Sequence, residues 1–264
     1  MITGLIPAKF VGTEVLKVVK ARFKTAVIEK WSKHRAEQFF DSFVQALACY
    51  DLNLADETFV KRKLEGLFGD EIRTEVLYDA YRQVAFTASK NIGPRIIGIL
   101  VARLVHFGRR ANEHEEKILM AAEQLNDGEF ENFGVFFQSV LDSEEFLRKR
   151  EFGKEREYDV WKQKDGNFEI TLDSKKTDSS SRFPASFSTA IDLDKRFGTW
   201  ALKLQSIGLL KASVRETQTQ ERVSHIEFFT NEIKREQESL VILPPECQEL
   251  FKLVSEAKNI LGTK

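Results

Sequence analysis

The sequence predicts a mainly α fold, in which a helical bundle forms an N-terminal domain and a small α+β domain follows it. Only 5 prolines occur in 264 residues, so long tracts are open to uninterrupted helices. Apolar residues recur at steps of three and four until about residue 150, and strand-like runs separated by turn residues follow. We therefore expect domains at residues 1–152 and 185–264, joined by a hairpin and a Ser-rich linker at residues 153–184.

Composition and charge limit the class of protein. Hydrophobic residues make up 42% and charged residues 31%, which excludes a wholly disordered chain. With 40 Lys+Arg and 41 Asp+Glu, the net charge of -1 excludes a surface that is basic all over. The charge is nevertheless uneven, because the balance is +6 in residues 1–110, -8 in residues 111–160 and +1 in residues 161–264. This distribution is compatible with a local basic patch in the N-terminal part of the chain.

Targeting signals and cysteines predict the compartment. No apolar run reaches the roughly 18 residues that a membrane span needs, and the N-terminus lacks a secretory signal pattern. The 2 cysteines, Cys49 and Cys247, are too few and too far apart for a disulfide framework. We expect a cytoplasmic protein.

The first predicted helix begins at about Ala8 and is basic. Its cations outnumber Glu14, Glu29 and Glu37; they are Lys9, Lys17, Lys20, Arg22, Lys24, Lys30, Lys33 and Arg35. A basic amphipathic helix can bind an anionic membrane surface or nucleic acid. It can equally pack its Val/Phe stripe on the bundle and leave its lysines in water, which is the first expectation.

The remaining N-terminal helices follow from spacing and capping. Helical periodicity continues through Phe39–Leu47, after Asp56 or Thr58 in a short helix, and through Ile72–Ala85. The ten residues Ile96–Val105 are apolar on nearly every face, and Pro94 suits the first turn of their helix, which we expect to be the buried centre of the bundle. The last two helices are signalled by a capping-box-like run from Asn112 to Glu115 and by the apolar positions from Phe130 to Leu141.

Shorter elements are predicted after residue 155. Val160–Gln163 and Phe168–Leu172 flank Asp165-Gly166, a hairpin dipeptide, and the polar residues 173–184 are expected to form a loop. A helix at Thr199–Leu210, ended by Gly208, precedes two further strands. These strands are Lys211–Glu216 and Val223–Phe229, with a polar turn at Thr217–Arg222.

This C-terminal order resembles a winged-helix module, in which a helix with a Leu-x-x-Leu-x-x-x-Gly-Leu-Leu ending leads into a two-stranded wing. The corresponding positions here are Ala201, Leu204, Ile207, Gly208, Leu209 and Leu210. Winged helices bind DNA or serve packing and protein contacts. For DNA binding, the predicted nucleic-acid-binding residues are Thr199, Lys203 and Gln205 on the helix with Arg215 and Arg222 on the wing. Because acidic residues offset this charge, packing or protein contact is the first expectation.

The whole layout also resembles the abortive-infection alpha-type proteins of bacteria, which are small phage-exclusion factors. A basic amphipathic N-terminus, a helical body, a Gly-Pro-started apolar helix and the Ser-Ile-Gly-Leu-Leu run at residues 206–210 carry this resemblance. It implies a role in phage defence and brings no catalytic residues with it.

Motifs for catalysis are absent from the sequence. There is no phosphate loop, dinucleotide fingerprint, His-Glu-x-x-His or nucleophile elbow, and the 4 histidines lie in different segments. Asp159 with Asp173-Ser174-Lys175 resembles the acid and Asp-x-Lys arrangement by which a nuclease superfamily holds Mg²⁺, but Asp173 is expected in a loop. We therefore expect no cofactor, no metal and no enzymatic activity. The first hypothesis is a non-enzymatic prokaryotic interaction protein with a protein partner; the alternative is a winged-helix DNA-binding transcription regulator.

Overall fold

A computed structural model describes residues 33–50, 70–149, 159–162, 165–178, 191–224 and 229–262. The basic helix expected from Ala8 and the short helix expected after Asp56 or Thr58 lie outside these residues. The described part is mainly helical and contains one antiparallel sheet, which confirms the predicted fold class at that level.

The described elements follow one another from helices to a mixed region. Five helices come first: α1 Lys33–Tyr50, α2 Glu71–Phe86, α3 Ile92–Phe107, α4 Glu113–Gln124 and α5 Asp127–Lys149. The mixed region then contains β1 Asp159–Lys162, β2 Phe168–Asp178, α6 Leu193–Phe197, α7 Thr199–Ser206, β3 Lys211–Ser224, β4 Phe229–Leu243 and α8 Pro245–Gly262.

The chain divides into two compact units. The helical unit consists of Met1–Glu131 and Leu250–Lys264, and the mixed unit consists of Asn132–Glu249. The divisions therefore fall inside α5 and α8, whereas composition had suggested boundaries near residues 152 and 185. The mixed unit is thus inserted in sequence between the two segments of the helical unit.

Helix α3 is the centre of the helical unit, as predicted. Its residues from Ile92 to Ala102 are all buried, as are Leu104 and Val105. Helix α1 packs against it where α3 carries Gly98. A Cβ atom at Gly98 would lie 2.5 Å from the carbonyl oxygen of Phe39 and 3.0 Å from the backbone nitrogen of Phe43. The two backbones can approach this closely because position 98 has no side chain.

Buried polar groups in the helical unit bind donors or acceptors from distant segments. Arg95, fully buried in the first turn of α3, donates from Nε to Gln38 Oε1 at 2.6 Å, and its Nη2 donates to the same oxygen. Burial lowers the pKa of this guanidinium, although the charge of Asp41 opposes that effect. The sequence pattern, from which α3 was interpreted as an apolar helix, did not predict this hydrogen bond between Arg95 and Gln38 of α1.

The predicted capping box at the start of α4 is present. The Asn112 side chain accepts from the Glu115 N–H at 2.9 Å, and the Glu115 carboxylate accepts from the Asn112 N–H at 3.0 Å. Arg109 also donates twice to Glu115, at 2.6 and 2.7 Å. Burial raises the pKa of Glu115, but these hydrogen bonds outweigh burial and hold its pKa below the ordinary value.

Asp127, the first residue of α5, binds the start of α3. Its carboxylate accepts from the N–H groups of Lys90, Asn91 and Ile92 at 3.0 to 3.2 Å and from the hydroxyl of Ser89. Burial raises the pKa of Asp127, but these four donors hold it below the ordinary value. Asn91 makes no side-chain capping bond at the start of α3, so the distant carboxylate satisfies backbone donors there.

The mixed unit contains a four-stranded antiparallel sheet in the order β1-β2-β4-β3. The predicted hairpin between β1 and β2 is present, and Gly166 in its connection has a φ of 87°. We call the buried end of the sheet the base; its buried residues are Val160, Phe168, Ile170, Leu240, Val241 and Leu243. We call the remainder the arm: residues 173–178 of β2, 215–224 of β3 and 229–239 of β4. In the arm only Val223, Phe229 and Ile233 are apolar.

Two local predictions for this sheet are wrong. Residues 173–178 were expected in a loop, but they continue β2 opposite Lys234–Ser239. Thr217–Arg222 were expected to form a turn, and Val223 was expected to begin the next strand, but both lie inside β3. Thr217–Arg222 are opposite Asn231–Glu236 of β4, and Val223 is opposite Thr230. The polar composition was misleading, because residues 217–222 contain no Gly, Pro, Asn or Asp to make a turn and contain two β-favouring threonines.

Candidate protein or nucleic-acid interface

Helices α6 and α7 and the β3-β4 hairpin form the region on which the winged-helix resemblance rests. Asp192 caps α6 by accepting from the Lys195 N–H at 3.1 Å, and Gly198, with a φ of 93°, separates α6 from α7. Helix α7 ends at Ser206, and Gly208 has a φ of 79°, as the predicted helix stop requires. The Leu209 N–H donates to the Leu204 carbonyl at 2.8 Å, and β3 begins two residues later.

Aromatic side chains fix α7 to the part of α5 that belongs to the mixed unit. The ring of Trp200, which is 2% exposed, lies 5.4 Å from the ring centre of Phe136 and 5.7 Å from that of Phe133. Phe197 of α6 lies 4.9 Å from Phe136. Such rings contribute burial and an edge-on preference, so one face of α7 is held in a defined orientation.

The face of α7 opposite Trp200 carries the exposed residues of this helix, none of which is charged. Its exposed residues, Thr199, Leu202, Gln205 and Ser206, recur about every three positions and therefore lie on one side of the helix. Leu202 is 43% exposed. Thr199 and Gln205 are thus accessible as the sequence predicted, whereas Lys203 is half-buried. The exposed residues of α7 thus present hydroxyl, amide and leucine groups, and the half-buried Lys203 adjoins Thr199 at the edge of this face.

The predicted wing residue Arg215 is held by two carboxylates of the sheet. Its guanidinium lies 2.8 Å from Glu169 of β2 and 3.6 Å from Glu238 of β4. The Glu169 side chain is only 9% exposed. Arg215 therefore neutralises a largely buried carboxylate, and a phosphate contact would compete with both ion pairs.

Arg222 lies apart from the other predicted site residues. The predicted turn would have placed Arg215 and Arg222 at its two ends, but both lie on β3, seven residues and therefore about 24 Å apart. Arg222 is opposite Asn231 near the far end of the arm. The structure thus brings Thr199, Lys203 and Gln205 together on α7 and separates them from Arg222.

Sequence reasoning missed Leu202 as a surface residue and Glu169 and Glu238 as partners of Arg215. If α7 bound DNA through Thr199, Lys203 and Gln205, Leu202 would be expected on its packing surface. Its spacing of three from Thr199 and Gln205 was the available signal. The partners of Arg215 could be identified only from the register of the sheet. Glu238 is opposite Arg215 because β3 continues as far as Ser224 before the chain returns as β4.

Charge in the mixed unit does not match a nucleic-acid footprint. Residues 132–249 carry 18 Lys+Arg and 21 Asp+Glu, which is a balance of -3. DNA-binding domains usually concentrate positive charge on one face. Exposed cations do occur beside α7, namely Lys195 and Arg196 of α6 and Lys211 at the start of β3.

The described residues give little support to a metal site or a membrane span. No three His, Cys, Asp or Glu side chains among them are placed to hold a metal ion. None of the described helices has the length and apolar composition needed to cross a membrane. Asp173 and Lys175 of the nuclease-like pattern lie within β2 rather than in the expected loop, so the loop position that had counted against this pattern is wrong.

Comparisons with known proteins leave the class open. No family model, no curated protein and no solved structure matches this chain.

Proposed function

We propose that this protein is non-enzymatic and that the exposed face of α7 binds a protein partner. The observation that supports this proposal is the absence of charge among the exposed residues of α7, with Leu202 at the centre. The centres of protein interfaces are depleted of charge, whereas DNA affinity depends on cations that neutralise phosphates. Helices α6 and α7 and the β3-β4 hairpin would then form a winged-helix arrangement that binds a protein.

The ion pairs of Arg215 support the same proposal. A wing that binds phosphate needs free cations, but Arg215 already contacts Glu169 and Glu238. If Arg215 were released, the buried Glu169 carboxylate would lose this partner. The free energy of DNA binding would have to exceed that loss.

The test is a binding assay with matched surface variants. A partner recovered from the native host after nuclease treatment would be purified and titrated against the wild type. Leu202→Arg should weaken binding at least about tenfold, as expected for an apolar residue at the centre of an interface. The control is Val135→Arg on α5, since Val135 is 73% exposed and lies in the same unit. Equal affinities of Leu202→Arg and the wild type would contradict the proposal.

DNA binding is the second candidate, and Lys195, Arg196 and Lys211 favour it because they are exposed in the segments that precede and follow α7 in the chain. Duplex binding should then weaken with salt, and each lost phosphate contact should reduce the logarithmic slope by about 0.9. The variants are Lys195→Ala/Lys211→Ala and Lys203→Ala/Arg215→Ala. No binding at low salt, or equal slopes in all three proteins, would remove this candidate.

We further propose a phage-defence role, which rests on the resemblance to abortive-infection alpha-type proteins. Expression in a bacterial host should reduce the plating efficiency of at least one phage. Leu202→Arg should abolish this protection if the α7 face binds the partner, while Val135→Arg should retain it. Unchanged plating across a broad phage panel would argue against the role.

A further inference from the structure

Strand β3 forms one edge of the sheet. In the order β1-β2-β4-β3 it pairs with β4, and no other described strand lies beside it. It is 14 residues long. In an antiparallel ladder every second residue directs its N–H and C=O away from the partner strand, so this edge presents a long row of backbone donors and acceptors.

The sequence of this edge reads nearly the same in both directions. From Ser213 it begins Ser-Val-Arg-Glu, and it ends Glu-Arg-Val-Ser at Ser224, with Thr-Gln-Thr-Gln between. Two identical strands that pair about a two-fold axis run antiparallel, so each residue type meets residues of the mirrored half. The pattern therefore points to a second copy of β3 as the occupant of the edge.

Strand geometry decides which residues meet. Two residues that are opposite across an antiparallel ladder direct their backbone groups either both toward the partner strand or both away from it, and this direction alternates along each strand. Opposite residues of two identical strands must therefore differ by an even number of positions. Arg215 and Arg222 differ by an odd number of positions, as do Glu216 and Glu221. A regular two-fold pairing consequently cannot place either like-charged pair in direct opposition. The nearest permitted registers are centred on Gln218 or Thr219, and each puts opposite charges face to face.

The register centred on Thr219 is the more favourable one. It places Glu216 opposite Arg222 of the second copy, twice by symmetry. Within one chain, Glu216 is opposite the uncharged Gln237 and Arg222 is opposite the uncharged Asn231. The register centred on Gln218 would instead pair Glu221 with Arg215, which already contacts Glu169 and Glu238.

We propose that β3 pairs antiparallel with β3 of a second copy of this chain, centred on Thr219, so that two sheets join into one of eight strands. Cross-strand ion pairs between Glu216 and Arg222 fix the register. This dimer does not depend on the function proposed for α7.

The test is the oligomeric state of the full chain and of charge-reversed variants, measured by sedimentation equilibrium. The wild type should be dimeric at micromolar concentration. Glu216→Arg or Arg222→Glu should each weaken the dimer about tenfold or more, since two attractive pairs become repulsive. The double variant carrying both changes should regain the wild-type affinity.

A mixing experiment separates register from general damage. In a mixture of Glu216→Arg and Arg222→Glu, both cross-strand pairs are again attractive, so a heterodimer should form while each variant alone stays largely monomeric. Energy transfer between differently labelled variants would detect it, and circular dichroism would confirm that both are folded. The control is Glu221→Arg, because residue 221 is opposite the uncharged Thr217 in this register.

Several outcomes would overturn the proposal. A wild type that is monomeric at all accessible concentrations would contradict pairing with a second copy and would favour a strand of another protein as the partner of β3. A dimer insensitive to both reversals would place the interface elsewhere. Loss of the dimer in Glu221→Arg, with Glu216→Arg unaffected, would favour the register centred on Gln218.

Discussion

The helical unit and the arm of the sheet differ in where their polar residues lie and in what these residues bind. In the helical unit, Glu115 is buried and Asp127 is half-buried, and each accepts hydrogen bonds from several groups. In the arm, polar residues occupy nearly every position of three paired strands. A carboxylate that accepts from several groups specifies one arrangement of the chain, and its loss leaves these partly buried donors without that acceptor. Polar strand residues contribute less to stability but keep a backbone edge available for a partner.

The largest effect should come from removing the half-buried carboxylate of Asp127, which accepts from several backbone donors. Asp127→Ala leaves three backbone N–H groups and the Ser89 hydroxyl without their acceptor, so we expect a loss of about 3 kcal/mol in the free energy of unfolding. Urea titration of the full chain measures this loss. Asp142→Ala, on the exposed side of α5, is the matched control and should change the free energy by about 0.5 kcal/mol or less. Similar losses of free energy in both variants would contradict the contrast between the half-buried Asp127 and the exposed Asp142.

The same carboxylate should make the helical unit sensitive to acid. Because the folded state lowers the pKa of Asp127, its contribution is present in full above its unfolded pKa, near 3.9, and is lost as the pH falls through the folded pKa. Asp127→Asn lacks this titration. The stability difference between wild type and Asp127→Asn should therefore be larger at pH 7 than at pH 3, as measured by urea titration at both values. A difference that does not change with pH would show that the charge of Asp127 contributes nothing.

A smaller effect should follow from adding one methyl group where α1 meets α3. Gly98→Ala places a Cβ against the Phe39 carbonyl, so the helices must separate, and we expect a loss of roughly 2 kcal/mol. Gly128→Ala is the matched control, because the nearest atom to its Cβ would be Asn126 Oδ1 at 3.5 Å. That variant should gain about 0.5 kcal/mol from helix propensity. Thermal unfolding of both variants compares them, and equal melting temperatures would count against close packing at Gly98.

The smallest perturbation is chemical labelling of the two cysteines, one in each unit. Cys49 is exposed, whereas Cys247 is buried and its thiol donates to the Leu209 carbonyl at 2.7 Å. Burial raises the pKa of the Cys247 thiol, so little of the reactive thiolate forms there. One thiol per chain should react with a disulfide reagent in the native state, and the second only after unfolding. Cys49→Ser should remove the fast reaction; a persisting fast reaction would show that Cys247 is accessible.

Local spacing predicted the helices because the relevant signals lie within a few residues. The apolar run of α3, the Asn112 capping box and the stop at Gly208 each depend on neighbours in sequence, and all three are present. The strand ends could not be predicted in this way, because Thr217–Arg222 are polar and become a strand by pairing with β4.

The candidate site was predicted in part for the same reason. Thr199 and Gln205 were expected to be exposed and are, since helical spacing determines the face of α7. The ion pairs of Arg215 and the distance from Arg215 to Arg222 depend on sheet register, which no short motif encodes. Asp127 was not singled out, because its partners are about 35 residues away in the chain.

Because the mixed unit is inserted in sequence between the two segments of the helical unit, these two segments are synthesised at different times. Leu250, Leu253 and Val254 are buried residues of the helical unit, yet they leave the ribosome after the whole mixed unit. At the usual rate of synthesis, translation of residues 132–249 takes on the order of 10 seconds. During that time the first segment of the helical unit lacks its second segment, which begins at Leu250 within α8. The nascent chain therefore exposes an incomplete apolar core for seconds, which is the interval in which chaperones would bind it.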